Sequence, residues 1–218
     1  MGASAASAQE APLCGPPGEE VSATIVGAGT IFGTSGDDVI VASVGNDVVF
    51  AGGGNDIVCG EGGNDTVAGG PGNDVLIGDE LDSLPFAPSN GANDDTLLGG
   101  PGDDTLAGLG GDDTVVGGPG DDELIGMGGV DTITGGPGDD MGFGGPLDDR
   151  MSGGPGDDSL FGNFGSDVIS GGPGDDLVDG DNPFPPPPGG PPFPPGGNND
   201  TCSGGPGDDT VQNCEVGW

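Results

Sequence analysis

The chain has 218 residues, of which 38 are acidic and one is basic, and its formal net charge at pH 7 is −37. This charge argues against nucleic acid as a partner, because almost nothing could neutralise phosphates, and no apolar run approaches the roughly 20 residues needed to span a bilayer. Histidine, lysine and tyrosine are absent. Most acid–base and nucleophilic mechanisms therefore lack their side chains, and we expect no enzyme.

The first 32 residues precede the regular part of the chain. Residues 1–14 contain a run of alanine and serine typical of the region around a signal-peptide cleavage site, so we interpret them as a signal remnant or a disordered tail. Residues 15–32 are predicted to form an N-terminal capping region. Within it, residues 23–32 have the spacing of one repeat with Gly29 in place of an aspartate, which is typical of a capping turn that binds no ion.

From residue 33 onward a nine-residue unit, Gly-Gly-x-Gly-x-Asp-x-U-x, recurs seventeen times, and U is usually aliphatic. Residues 69–77 are a clear copy. The first six residues of a unit have turn chemistry, because glycine supplies unusual backbone angles and Asp or Asn tolerates them. The last three are predicted to form a short strand whose middle side chain points away from its neighbours.

The middle position of each predicted strand is the expected core, from Ile40 to Val211. Fifteen of the seventeen residues at this position are aliphatic or Met, and the exceptions are Gly142 and Cys202. This core is thin for a chain whose glycine content and charge would otherwise be typical of disorder. We therefore expect metal binding to stabilise the fold.

The sixth-position aspartates are the predicted metal ligands. They are Asp38, Asp47, Asp56, Asp65, Asp74, Asp95, Asp104, Asp113, Asp122, Asp131, Asp140, Asp149, Asp158, Asp167, Asp176, Asp200 and Asp209. A regular row of carboxylates on a glycine-rich backbone suits a hard cation, and Ca²⁺ fits best. The alternative is a solvated acidic repeat that never folds.

Two kinds of unit alternate, which predicts a coil of 18 residues. Units that open with Gly-Gly-Pro-Gly begin at residues 69, 99, 117, 135, 153, 171 and 204, and units with other openings lie between them. One edge of the coil, called the regular edge, would stack Asp38, Asp56, Asp74, Asp104, Asp122, Asp140, Asp158, Asp176 and Asp209. The other, called the variable edge, would stack Asp47, Asp65, Asp95, Asp113, Asp131, Asp149, Asp167 and Asp200. Adjacent pairs number eight and seven, so at most fifteen calcium ions could lie between coils.

Two insertions interrupt the repeats just before the variable edge, at residues 78–89 and 180–194. The second is rich in proline and is typical of polyproline II. The insertions divide the predicted roll into residues 33–77, 90–179 and 195–212, with a C-terminal cap at residues 213–218. Our hypothesis is that this edge contacts a cell-surface or protein partner, and the alternative is that both insertions are tolerated surface loops.

The unit at residues 144–152 departs from the pattern. Leu147 replaces the fourth-position glycine, Gly142 removes a core side chain just before the unit, and Arg150 is the only basic residue. These changes indicate either a hinge or a degenerate turn with weaker calcium affinity.

The placement of the four cysteines favours one disulfide bond at each end of the roll. The favoured pairs are Cys14 with Cys59 and Cys202 with Cys214, although three pairings are formally allowed. Four free thiols are the alternative. An even number of cysteines in an acidic, calcium-type chain indicates an oxidising, extracellular setting.

The repeats resemble those of the repeats-in-toxin (RTX), or haemolysin-type, calcium-binding family over about residues 33–212. The cysteine-bearing ends are similar to those of free-standing secreted calcium-binding repeat proteins of actinobacterial type. This resemblance implies an all-β fold, a right-handed parallel β-roll (a β-helix solenoid) with two nonapeptides per coil. Each calcium ion would lie between turns and be held by two aspartates and by main-chain carbonyls.

By the same resemblance the chain is expected to be a secreted calcium-binding repeat protein that folds outside the cell at about 10⁻⁴–10⁻³ M calcium. The alternative is a cell-surface or adhesive protein that uses the calcium roll as a rigid scaffold. A C-terminal fragment of a larger toxin fits less well, because a terminal disulfide and Trp218 do not resemble a type I secretion signal.

Overall fold

The computed structural model describes residues 13–14, 21–79, 93–181 and 200–214. Every regular element in these ranges is a β-strand. The same ranges contain no helix that is long and apolar enough to cross a membrane. Most of both insertions, and the segments 1–12, 15–20 and 215–218, lie outside the described residues.

Two parallel sheets form the body of the molecule, and successive strands alternate between them. Sheet I contains β4 (Thr30–Phe32), β6 (Val48–Phe50), β8 (Thr66–Ala68), β10 (Thr96–Leu98), β12 (Thr114–Val116), β14 (Thr132–Thr134), β16 (Arg150–Ser152), β18 (Val168–Ser170) and β20 (Thr201–Ser203). Sheet II contains β3 (Ile25–Val26), β5 (Val39–Val41), β7 (Ile57–Glu61), β9 (Val75–Asp79), β11 (Thr105–Gly110), β13 (Glu123–Gly128), β15 (Met141–Pro146), β17 (Ser159–Phe164), β19 (Leu177–Asp179) and β21 (Thr210–Gln212). A separate antiparallel pair joins β1 (Leu13–Cys14) to β2 (Val21–Ser22).

The strand register confirms the 18-residue coil and the parallel β-roll. Within sheet I, Leu97 lies beside Val115, two nine-residue units along the chain. The register is also kept across the insertions, since Val67 lies beside Leu97 and Ile169 beside Cys202. The strands on either side of each insertion therefore keep the register of the roll.

The core lies between the two sheets and consists of the middle residue of each strand, as predicted. Leu106, for example, is completely buried. The prediction was wrong for Val211, which is 44% exposed, because no later strand of the described chain covers the last coil. Gly142 leaves no void, since a Cβ placed on it would lie 2.9 Å from both Met151 Cε and Leu160 Cδ2.

Strand length differs between the sheets, although three residues were expected throughout. In sheet II, β11, β13, β15 and β17 each have six residues. These strands continue into the variable edge, where Leu109 of β11 lies beside Met127 of β13. The strands of sheet I have three residues each and do not continue into the regular edge.

The irregular unit at residues 144–152 keeps the register of the roll. Its strand β16 pairs with β14 on one side and with β18 on the other. Leu147 takes up the left-handed backbone angle that glycine has in other units, with φ at 86°. The coil therefore keeps its register through this unit, and both a hinge and weaker calcium affinity stay predictions.

Both predicted disulfides are confirmed. Cys14 is bonded to Cys59 and Cys202 to Cys214, each with 5.9 Å between the Cα atoms. Cys14 is buried against the outer face of sheet II, in a small apolar cluster with Val41 and Cys59.

Candidate metal sites

The sixth-position aspartates form two continuous rows, one along each edge. The backbone N–H of every aspartate except the last in each row donates a hydrogen bond to Oδ1 of the aspartate one coil later, over 2.7–3.2 Å. The rows bridge the insertions, with 2.7 Å from Asp65 N to Asp95 Oδ1 and 2.8 Å from Asp167 N to Asp200 Oδ1. The predicted grouping of all seventeen aspartates into two stacks is confirmed.

The aspartates are buried although no basic side chain accompanies them. All are less than a tenth exposed except Asp209, which is half-buried in the last coil. The single basic residue of the whole chain, Arg150, has an exposed side chain. A buried carboxylate without a compensating charge is costly, so each row needs another source of positive charge.

One carboxylate oxygen of most aspartates has no hydrogen-bond donor among the described residues. These Oδ2 atoms belong to Asp56, Asp65, Asp74, Asp95, Asp104, Asp113, Asp122, Asp131, Asp140, Asp149, Asp158, Asp167 and Asp176. Buried polar atoms in proteins are almost always hydrogen-bonded or bound to a metal. A repeated exception of this kind is the pattern expected of ligands that face a cation.

Most of these oxygens lie beside a main-chain carbonyl of the following coil. A Cβ placed on Gly99 would be 2.3 Å from Asp104 Oδ2 and 2.6 Å from the Gly117 carbonyl oxygen. Glycine at this place leaves the space open, and Ala51 is the exception in the unit of Asp56. The two oxygens that converge there are of the kind that calcium prefers, and calcium binds such atoms at 2.3–2.6 Å.

Burial changes the proton affinity of the carboxylates. Desolvation, reinforced by neighbouring carboxylates, raises the pKa of Asp113 and Asp149 to about 8, although the backbone N–H that each accepts lowers it. The pKa of Asp104 on the regular edge is raised to about 7 for the same reasons. A buried carboxylate here favours a bound cation or, failing that, a proton.

The sites cannot consist of side chains alone. Among the described residues no group of three or more His, Cys, Asp or Glu side chains converges on one point. Two aspartates one coil apart, together with carbonyl oxygens of the intervening turns, are the donor set that the geometry offers.

A comparison with known protein families decides the assignment. The profile of the RTX calcium-binding nonapeptide repeat matches residues 26–58, 60–80, 89–124, 108–142, 116–151, 143–178 and 196–211, which is more than half of the chain. The chain belongs to the RTX calcium-binding nonapeptide repeat family. This RTX chain matches no curated protein.

Asp79 is a buried acidic residue of the RTX roll outside the seventeen predicted ligands. Asp79 is only 3% exposed, and its Oδ1 accepts a hydrogen bond from Asn93 Nδ2 over 2.6 Å. Its charge contributes to the raised pKa of Asp95, after the larger effect of burial. Asp79 lies in the predicted insertion, but in the structure it ends β9 and lies beside Glu61 of the preceding coil. The 18-residue spacing from Glu61 to Asp79 was the available signal in the sequence.

Proposed function

We propose that the chain is a secreted calcium-binding repeat protein whose roll folds as calcium ions enter between consecutive coils along both edges. The row of buried Oδ2 atoms without hydrogen-bond donors carries this proposal. In each gap the ion would contact an aspartate of each coil and the carbonyl oxygen of the first residue of the second coil. The seventeen aspartates are the proposed ligands.

Charge balance supports this mechanism. At most fifteen gaps filled with Ca²⁺ would bring up to about +30, which nearly neutralises the formal charge of −37. Without ions the two rows would repel each other and themselves, and the thin core would have to stabilise the roll alone. Calcium binding is then part of the folding free energy.

Secretion is supported by the two disulfides and by the calcium concentration at which extracellular modules bind this ion. Disulfides such as Cys14–Cys59 and Cys202–Cys214 persist in oxidising compartments. Extracellular calcium modules bind at about 10⁻⁴–10⁻³ M, far above the calcium level of cytosol. The chain would stay unfolded inside the cell and fold after export, and the calcium would have a structural rather than a catalytic role.

A scaffold function is favoured by the apolar side chains on the variable edge. Met127 is 42% exposed, Val130 46% and Leu147 57%. Exposed apolar residues that share an edge can form a contact surface for a cell-wall or protein partner. Deletion of residues 182–195 tests the role of the insertion. Lost binding to the partner with intact calcium-dependent folding supports it, and unchanged binding refutes it.

The main proposal is tested by a pair of adjacent substitutions. Asp122→Asn keeps an oxygen to accept the N–H of Asp104 but replaces the buried Oδ2 with an amide that cannot bind calcium. Asp121→Asn is the matched control, because Asp121 is exposed and accepts the N–H of Asp139 in the same way over 2.9 Å. Both substitutions remove one negative charge.

The measurement is the calcium concentration at the midpoint of folding, followed by circular dichroism. Asp122→Asn disturbs the two gaps that flank it, so we expect the midpoint to rise several-fold, while Asp121→Asn stays within about twofold of the wild type. Equal shifts for the two variants, or folding of Asp122→Asn at the wild-type calcium concentration, would contradict the proposal.

A further inference from the structure

The first aspartate of each row has its carboxylate satisfied by the protein itself. Oδ2 of Asp38 accepts hydrogen bonds from Thr34 N over 2.7 Å and from Thr34 Oγ1 over 2.8 Å. Oδ2 of Asp47 accepts the equivalent bonds from Ser43 N and Ser43 Oγ, both over 2.8 Å. The same arrangement therefore occurs independently on both edges, and it contrasts with the rest of each row.

Thr34 and Ser43 occupy the second position of their units, which elsewhere never holds Ser or Thr. In later units the second residue has a left-handed backbone, as in Gly70 with φ at 109°. Its N–H then points along the roll, where Gly70 N donates to the carbonyl oxygen of Gly99 over 2.8 Å. Thr34 and Ser43 are not among the residues with positive φ, and their N–H groups turn to the carboxylate of their own unit instead.

The fourth position differs in the same two units. In later units its glycine lies tightly on the previous coil, so that a Cβ placed on Gly54 would be 2.6 Å from the carbonyl carbon of Gly36. Among the described residues, a Cβ placed on Gly36 would meet nothing within 4 Å, and one on Gly45 would meet only Ser43 Oγ at 3.8 Å. Neither glycine is among the residues with positive φ, and their N–H groups donate to Thr34 Oγ1 over 3.2 Å and to Ser43 Oγ over 3.3 Å. The first turn on each edge therefore has its own conformation, which the hydroxyl stabilises.

These donors occupy the place that a cation would need. A carboxylate oxygen that accepts both an N–H and an O–H faces two positive dipole ends, and these repel Ca²⁺. The next carbonyl oxygen still approaches, since a Cβ placed on Gly33 would be 1.9 Å from Ala51 O and 3.1 Å from Asp38 Oδ2. The gap has the oxygens of a calcium site but is already filled with hydrogen-bond donors.

We infer that Thr34 and Ser43 replace calcium in the first gap of each row, between Asp38 and Asp56 and between Asp47 and Asp65. The inference rests on the proposed function and refines it. Of the fifteen gaps between stacked aspartates, thirteen take ions and two are closed by a hydroxyl and an amide of the protein. The first coil is therefore complete without calcium, and ions are needed only beyond it.

The test restores the glycine that the repeat has at this position. Thr34→Gly and Ser43→Gly each remove a hydroxyl and permit the left-handed turn of the later units, so each should open one calcium site. Ser35→Gly is the control, because it removes an exposed hydroxyl from the neighbouring residue of the same turn. Calcium ions per folded chain are counted by native mass spectrometry at saturating calcium.

We expect the double variant to bind two more ions than the wild type, each single variant one more, and the control the same number. An unchanged or lower count in a folded double variant overturns the inference. If the double variant does not fold, the wild-type count decides, since fourteen or more ions contradict two closed gaps and thirteen or fewer agree with them. A wild type that binds no calcium refutes the proposed function itself. The inference alone is refuted when the wild type binds calcium but the folded double variant binds no more ions than it does.

Discussion

Replacement of Gly120 by alanine should break the stacking of coils on the regular edge. Gly120 is the fourth residue of its unit and has φ at 148°, a conformation that residues with a Cβ rarely adopt. An added Cβ would lie 1.8 Å from the carbonyl oxygen of Gly102 in the previous coil. Ordinary contacts of this kind are about 3.3–3.6 Å, so the turn must move by about 1.5 Å.

The cost follows from what this movement disturbs. An unfavourable backbone angle contributes about 1–3 kcal/mol. Loss of the hydrogen bond from Gly120 N to Pro137 O, now 3.0 Å long, contributes about 1 kcal/mol more. We therefore expect Gly120→Ala to lower the free energy of unfolding by about 2–4 kcal/mol at saturating calcium. The gap between Asp104 and Asp122 would open as well, which raises the calcium concentration needed for folding.

Gly36→Ala is the matched control, because a Cβ on Gly36 meets no atom within 4 Å. The expected change is within about 0.5 kcal/mol. Both variants are compared with the wild type by urea unfolding in saturating calcium. Equal stability of Gly120→Ala and Gly36→Ala would refute the argument that coil spacing depends on glycine at the fourth position.

Three further results are expected. Leu147→Gly should stabilise the calcium-loaded roll by about 1 kcal/mol in urea unfolding, because Leu147 is 57% exposed and has a left-handed φ of 86°. An unchanged free energy of unfolding would contradict backbone strain at Leu147. Leu106→Ala should cost about 2–5 kcal/mol in the same assay, because Leu106 is completely buried, whereas the exposed Met141→Ala should cost less than about 1 kcal/mol; similar losses would contradict the assigned core. In chelator, acidification from pH 8 to pH 5 should increase β structure in circular dichroism. Burial raises the pKa of Asp113 and Asp149 to about 8 in the folded chain, so folding takes up protons above the ordinary Asp pKa of 3.8, and ion-free stability is lost as pH rises towards 8. A β signal that is constant or falls on acidification would contradict this.

The repeat predicted much of the fold because its period and its chemistry agree. An aliphatic residue or Met two positions after most of the aspartates indicates a strand, and alternating Gly-Gly-Pro-Gly openings indicate two units per coil. These two facts were enough to place Asp104 and Asp122 in one row across 18 residues. They also predicted the register across the insertions, because the unit that follows each insertion keeps its place in the alternation.

Other features depend on neighbours that the repeat does not describe. Val211 has the same motif position as Leu106, but its exposure depends on whether another coil follows. Met151 fills the space left by Gly142, which reflects packing between units. In the sequence, Thr34 differs from later units only as a threonine at the second position. Its proposed role follows from the structure, in which its N–H and O–H both donate to Asp38.

The central claim is that calcium supplies the stabilisation that the thin core lacks, and circular dichroism during a calcium titration tests it most directly. We predict a coil-like spectrum in chelator, cooperative formation of β structure by millimolar calcium, and no equivalent change with magnesium, which is smaller and keeps its water ligands. A spectrum that is the same in chelator and in calcium would contradict the account.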